Sequence, residues 1–319
     1  MNDASELAIR DGAYPLGRGK AVIVDRRLGR MQKISVGLTV VVPTLATVYA
    51  LVLAAREGVS WLNVALFLVF YLATLIGVTV GFHRLFTHRT FTTGRWAKIT
   101  LVIFGSWAAQ GPALQWVSTH RRHHVTSDRE GDPHSPNRSG AGAWGRLKGL
   151  LYAHFGSGFT DEVTNYSRFA PDLLRDPDMI WASKYYLPVL LAGLALPCAI
   201  GGLVTQSLEG AWTALLWGGF VRMFAVHHGI MSITSIAHVF GVKTFRSDDE
   251  SRNSLWLALL TGGEGWHNTH HAFPQAAILS TSYWQIDISG IVVWALEKLG
   301  IARDVNRITP EAKKAKSLT

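Results

Sequence analysis

Residues 34–55 and 61–82 are each apolar for about 22 residues, the length a helix needs to cross a bilayer. Two further apolar runs, 186–204 and 211–238, follow after a long polar interval. A shorter one, 99–109, suits packing or an interface better than a crossing. The connectors 56–60 and 206–210 carry only one base, Arg56, while Arg and Lys crowd the N-terminal segment, the 83–181 loop and the tail. The positive-inside rule then predicts four spans, with both termini and the central loop in the cytoplasm. The expected architecture is an all-α integral membrane protein carrying a cytoplasmic helical cap. Residues 1–33 read as a flexible basic arm, 34–305 as the membrane domain and 306–319 as a basic tail. A signal peptide fits residues 1–33 poorly, because the apolar run after them is too long and no cleavage site follows.

Composition agrees with a membrane setting. Charged residues are 17% of the chain, against roughly 25% in soluble domains, and aromatics include 12 Trp and 14 Phe. A net charge of +9 raises nucleic acid as a partner, but no arginine-rich helix or zinc-finger spacing accompanies it. Anionic lipid is the better match for that charge. The single cysteine, Cys198, can form neither an intrachain disulfide nor a thiolate cluster, so any metal must use nitrogen and oxygen ligands.

Thirteen histidines supply the nitrogen, and eight of them fall in three boxes. These are His83 and His88; His120, His123 and His124; and His267, His270 and His271. In the second and third boxes the i, i+3, i+4 spacing puts the side chains within about 100° of arc on one helix face. The i, i+5 spacing of the first predicts that its helix ends or distorts there. A lone histidine is usually a satisfied core or surface residue, but eight in such boxes are not. His238, at the cytoplasmic end of the fourth run, makes a ninth. Nine imidazoles exceed what one zinc uses, and imidazole also suits iron and copper. Soluble di-iron bundles carry two Glu-x-x-His pairs on separate helices; this chain has a single such spacing, Glu264 to His267, so the site must be mainly nitrogen-ligated.

The stretches GFHRLFTHRTF (81–91), WVSTHRRHHVTSDREGDPHS (116–135) and GGEGWHNTHHAFP (262–274) resemble the membrane fatty-acyl desaturases, in particular bacterial members of the stearoyl-type delta-9 branch. The likeness covers about residues 35–305. It implies two irons bound by His83, His88, His120, His123, His124, His238, His267, His270 and His271. It also implies that O2 and two electrons yield a cis double bond in an acyl chain carried on CoA, a carrier protein or a phospholipid. Where the family usually has asparagine in Asn-Ser-x-x-His, this chain has Thr234, whose shorter hydroxyl would stand at the water side of one iron. That departure keeps hydroxylase, acetylenase and terminal-olefin-forming outcomes open. A histidine-rich metal transporter is the alternative of another class, and it predicts ligands near mid-bilayer.

Of the other histidines, His134 is expected to organise a turn, His154 to lie at a surface, and His227 and His228 to pack or line a tunnel. Asp128 and Glu130 are candidates to accept hydrogen bonds from ligand imidazoles. Phe67 and Tyr71, deeper on the helix that ends at His83, are candidate gauges of acyl length, with Trp116, Trp256 and Trp266 as further tunnel candidates. No dinucleotide fingerprint, cysteine cluster or appended haem domain appears. Electrons are therefore expected from a separate ferredoxin-like carrier with an NAD(P)H reductase; Arg121, Arg122 and residues 313–316, on a basic face of the bacterial inner membrane, are candidate contacts for that carrier or for the phosphates of a carrier thioester.

Overall fold

The structure, a computed structural model, describes residues 16–318. Asp25 starts the first long helix, α1 (Arg26–Glu57), by accepting hydrogen bonds from the N–H groups of Arg27 and Leu28 at 2.8 and 2.9 Å. Leu38, Val41, Leu45, Val48 and Val52 all point outward from α1, an apolar face suited to lipid. Ser60 caps α2 (Trp61–Ile76), which runs on as a π-helical segment, Gly77–Thr87. After it come α3 (Arg95–Ser106), α4 (Ala113–Thr126), α5 (Gly142–His154) and α6 (Tyr186–Thr205). The rod that follows comprises α7 (Leu208–Ala214), a π turn (Leu215–Val221) and α8 (Arg222–Ser235). The C-terminal part contains α9 (Leu255–Leu260), α10 (His267–Ala272), α11 (Ile288–Lys298) and α12 (Pro310–Lys316). Four short strands make two antiparallel pairs, β1 (Val22–Val24) with β3 (Glu162–Thr164) and β2 (Thr92–Thr93) with β4 (Ala302–Arg303).

Three helical stretches are long and apolar enough to cross a membrane: Arg26–Glu57, Trp61–Thr87 and Tyr186–Thr205. The fourth expected run corresponds to the α7–α8 rod, which carries the wholly buried Arg222. Its guanidinium has no acid partner among the described residues. It donates instead to the carbonyls of Gly218 (3.1 Å), Trp107 (2.5 Å) and Gly193 (2.9 Å) and to Thr74 Oγ1 (3.2 Å). One cation thereby ties α2, α6 and α8 to the turn between α3 and α4. That turn needs the support: Ala109 and Gly111 both have positive φ, and irregular backbone among apolar helices must find its partners inside the protein.

The segment expected to be a loose arm is ordered from residue 16 through β1 and the start of α1, because strand pairing and the Asp25 cap satisfy its backbone. Residues 1–15 lie outside the described residues. The tail is also held: Arg246 N donates to Lys316 O at 2.8 Å and Leu318 N to Thr244 O at 3.0 Å.

Candidate metal centre

The first box sits on the π-helical segment. Its wider turn answers the i, i+5 spacing: His88 N donates to His83 O at 3.1 Å, so both imidazoles face one side. Gly77 makes the approach to α3 possible, since a Cβ there would fall 2.0 Å from Gly105 N. On α4 the i, i+3, i+4 face carries His120, His123 and His124, while the intervening arginines turn away. Arg121 is fully buried, donating to the carbonyls of Phe86, Thr87 and Phe169 and to Asp172. Arg122 donates to Gly131 O and Glu162. Both are internal struts, which corrects their expected role as contacts for an electron carrier. On α10, the Asn268 side chain accepts from Thr244 N and Phe245 N, each at 2.8 Å, and fixes the third box against the chain after α8.

These elements bring all nine predicted nitrogen donors together, in two groups. His83, His88, His120, His124 and His270 form one, and His123, His238, His267 and His271 the other; within each group the donor atoms lie within 4.8 Å of one another. Boxes and groups do not coincide, because the second and third boxes each feed both.

Carboxylates hold the far side of four rings. His238 Nδ1 lies 2.8 Å from Asp128, His123 Nδ1 3.1 Å from Asp132 and His83 Nδ1 2.7 Å from Glu264, and His271 Nδ1 contacts Asp249. A carboxylate at Nδ1 takes that N–H as donor and leaves Nε2 with a bare lone pair. The Nε2 atoms of these and the neighbouring rings converge: His83 to His270 at 3.0 Å, His270 to His124 at 3.0 Å, His124 to His120 at 3.1 Å and His238 to His267 at 2.9 Å. His271 Nε2 is buried with no hydrogen-bond partner. Lone pairs gathered so closely in a buried site repel unless a cation lies among them, so the donor set fits two metal ions.

The electrostatics favour the neutral form of six of the nine donors. Burial, reinforced by neighbouring histidines, pushes His88, His120, His124, His267 and His270 well below the usual imidazole range. Burial also lowers His271, outweighing Asp249. For His123 burial acts downward too, but Asp132 overcomes it and the net shift is upward. Burial opposes ionisation of Asp128, Asp132 and Asp249, yet their histidine partners hold all three far below the usual carboxylate range.

Of the two acids singled out from sequence, Asp128 has the expected partner. Glu130 is exposed, with no hydrogen bond to an imidazole among the described contacts, because it points out of the turn. The acids missed were Asp132, Asp249 and Glu264. Glu264 stands three residues before His267, and it also pairs with the buried Arg84 at 3.1 Å. We expect Asp249→Asn to weaken metal binding by about 10- to 100-fold. A competition titration against a chelator measures this, and an unchanged affinity would remove Asp249 from its supporting role.

His134 is buried, its N–H bonded to Asp132 and its ring 4.5 Å from that of His123. Burial and His123 push it down to about 3. His154 is half-buried, bonded to His228 Nδ1 (2.9 Å) and Ser235 Oγ (3.1 Å); His227 belongs to the same neighbourhood, and none of the three joins a metal group.

A narrow cavity of about 40 Å³ touches both groups and is walled by Val78, Trp116, Ile230, Ile233 and Thr234. Trp116 Nε1 donates to Gln110 Oε1 at 3.0 Å, which fixes the indole as one wall. Thr234 Oγ1 donates to Met231 O at 3.0 Å. Two tunnel candidates are corrected. Trp256 faces outward, 76% exposed, and Trp266 packs beneath the third box with its indole N–H on Ile286 O. Phe67 and Tyr71 stack on each other below the cavity rather than lining it.

A family model described as fatty acid desaturase matches residues 59–287. The chain is 42% identical to a hex-5-enoyl-[acyl-carrier protein] acetylenase of Moorena producens, over 87% of each chain. It is 37% identical to an sn-1 stearoyl-lipid 9-desaturase of Anabaena variabilis, over 77% of this chain and 85% of the relative. An sn-2 palmitoyl-lipid 9-desaturase of Nostoc sp. is 33% identical over 82% and 88%.

Proposed function

Because the chain belongs to the fatty acid desaturase family, and is thereby an oxidoreductase, we propose that it introduces a cis double bond into a saturated acyl chain at the expense of O2. The observation that carries this is the pair of imidazole groups lying directly against a narrow, mainly apolar cavity. His83, His88, His120, His124 and His270 would hold one iron and His123, His238, His267 and His271 the other. When bound, the irons supply the oxidising power that no side chain has for removing hydrogen from unactivated methylenes. The protein's own residues position and exclude. Val78, Ile230 and Ile233 exclude water and grip methylenes, Trp116 forms a fixed wall, and Thr79 and Thr234 offer hydroxyls to the lining. The four carboxylates hold the imidazoles in the ligating tautomer and orientation. The charge asymmetry of the connectors supports four spans, with the metal groups, arm and tail at the cytoplasmic face.

Delta-9 activity is the position named for the lipid desaturase relatives. A second reading, oxidation of an existing double bond to a triple bond, is favoured by the acetylenase at 42% identity together with Thr234. Expression in a host lacking desaturases, followed by mass spectrometry of its fatty acids, tests both. New monounsaturated chains formed only with O2 are expected. Triple bonds formed only from supplied unsaturated chains would select the second reading, and no new product of either kind would overturn the proposal.

A further inference from the structure

An open cleft of about 340 Å³ lies between the third box and the tail. His271 forms part of its wall, together with Phe273, Asn306, Arg307 and Lys316. The same His271 belongs to the second metal group, its ring buried behind the cleft wall, so one residue joins the cleft to that group. The rim is basic. The pairing of Arg246 N with Lys316 O brings Arg246 beside α12, where Lys313, Lys314 and Lys316 follow one another. Lys316 lies over the Phe273 ring, 5.5 Å from its centroid, and donates to Ala272 O at 2.7 Å. Lys313 donates to Thr281 O at 2.6 Å, Lys314 is exposed, and the exposed Arg246 side chain donates to Ala315 O at 3.2 Å. Two acids belong to this side: Glu297 is occupied by Arg307, and Glu311 sits in the first turn of α12. Nearby Asp248 and Glu250 face other bases, Arg129, Lys243 and Arg252.

We propose that this cleft is the docking surface of the electron donor, an acidic one-electron carrier protein of the ferredoxin kind, and that electrons enter through His271. The proposal rests on the desaturase reading above, which needs two electrons per turnover. Two carriers each lose one electron. Those two electrons, two protons and the two hydrogens taken from the acyl chain reduce O2 to two waters. A basic rim around the cleft steers an acidic partner and sets its orientation. The tail thus has a function as a strap: its backbone pairing to the 244–246 segment holds the lysines in place over the third box.

The test uses the full-length, iron-loaded protein in detergent and an acidic plant-type [2Fe–2S] ferredoxin as probe, with binding followed by surface plasmon resonance across a salt series. The double variant Lys314→Glu, Arg246→Glu is expected to bind ferredoxin about tenfold more weakly and with a shallower salt dependence. Its iron content, thermal midpoint and reduction by dithionite should match wild type. The control Arg146→Glu, Lys148→Glu, with both charges exposed on α5, should bind as wild type does. Unaltered binding in the tail variant, equal loss in the control, or no ferredoxin binding by wild type would each overturn the docking site. Failure of the desaturase reading looks different: wild type would bind ferredoxin and become reduced, yet convert no acyl chain.

Discussion

Replacing His270 with alanine is expected to abolish double-bond formation and to cut bound iron to one per chain or fewer. His270 Nε2 stands 3.0 Å from both His83 Nε2 and His124 Nε2, so it is the meeting point of all three boxes within the first group. Its loss takes away a donor and frees the ring positions of two others, whose bare lone pairs face the gap. The neutral state of His270, enforced mainly by burial, makes it a ready ligand near pH 7 without deprotonation. Iron per protein by mass spectrometry and fatty-acid analysis from the same preparation check the prediction. Full iron with retained product would remove His270 from the metal set. Iron loss should exceed that of Asp249→Asn, because a missing donor weakens a site more than a loosened one.

Replacing Tyr71 with alanine is expected to shift the accepted acyl chains to greater length. Tyr71 packs on the cluster of Leu75, Val78, Ala108, Val226 and Ile230, and two of these, Val78 and Ile230, are also walls of the cavity beside the metal groups. Its ring stacks on Phe67 at 5.6 Å and its hydroxyl donates to Leu260 O at 2.5 Å, so it is fixed from both ends as a floor under that layer. Truncation would open space below Val78 and Ile230, into which a longer methyl end could extend. It also costs stability, roughly 3–5 kcal/mol by analogy with other large-aromatic truncations in cores, so the thermal midpoint must be followed in parallel. Phe67→Ala should have a smaller effect on length, because Phe67 leans away toward Trp217 and the α1 contacts of Ala46 and Leu53. Product profiles from a mixed pool of acyl chains decide the matter. An unchanged profile in a folded Tyr71→Ala protein would sink the gauge.

Some of this was legible before any coordinates. Of the four crossings expected from apolar run length, three helices are long and apolar enough to cross a membrane, and the i, i+5 interval of His83 and His88 foretold a helix that departs from α geometry, now seen as the π-helical segment. Other readings failed for one common reason. Arg121 and Arg122 look like a cationic surface in sequence, yet neighbours on a helix point in different directions, and the face opposite the histidines happens to be buried against Asp172 and Glu162. Trp256 and Trp266 adjoin the right motifs but lie on the wrong faces.

The sequence by itself determined which nitrogens are available, because spacing along a helix sets the direction in which each side chain leaves it. It also determined, through one cysteine and thirteen histidines, what kind of metal site the chain can build. Only the tertiary structure decided how the nine divide into five and four, with His120 and His124 parting from His123 and His270 from its neighbours. It alone chose Asp132, Asp249 and Glu264 as their partners and turned the arginines inward. Local spacing fixes angles within one element, whereas a metal site needs atoms from elements nearly two hundred residues apart to meet within a few ångströms. That meeting is set by helix crossings and buried ties such as Arg84 to Glu264, which no local pattern encodes.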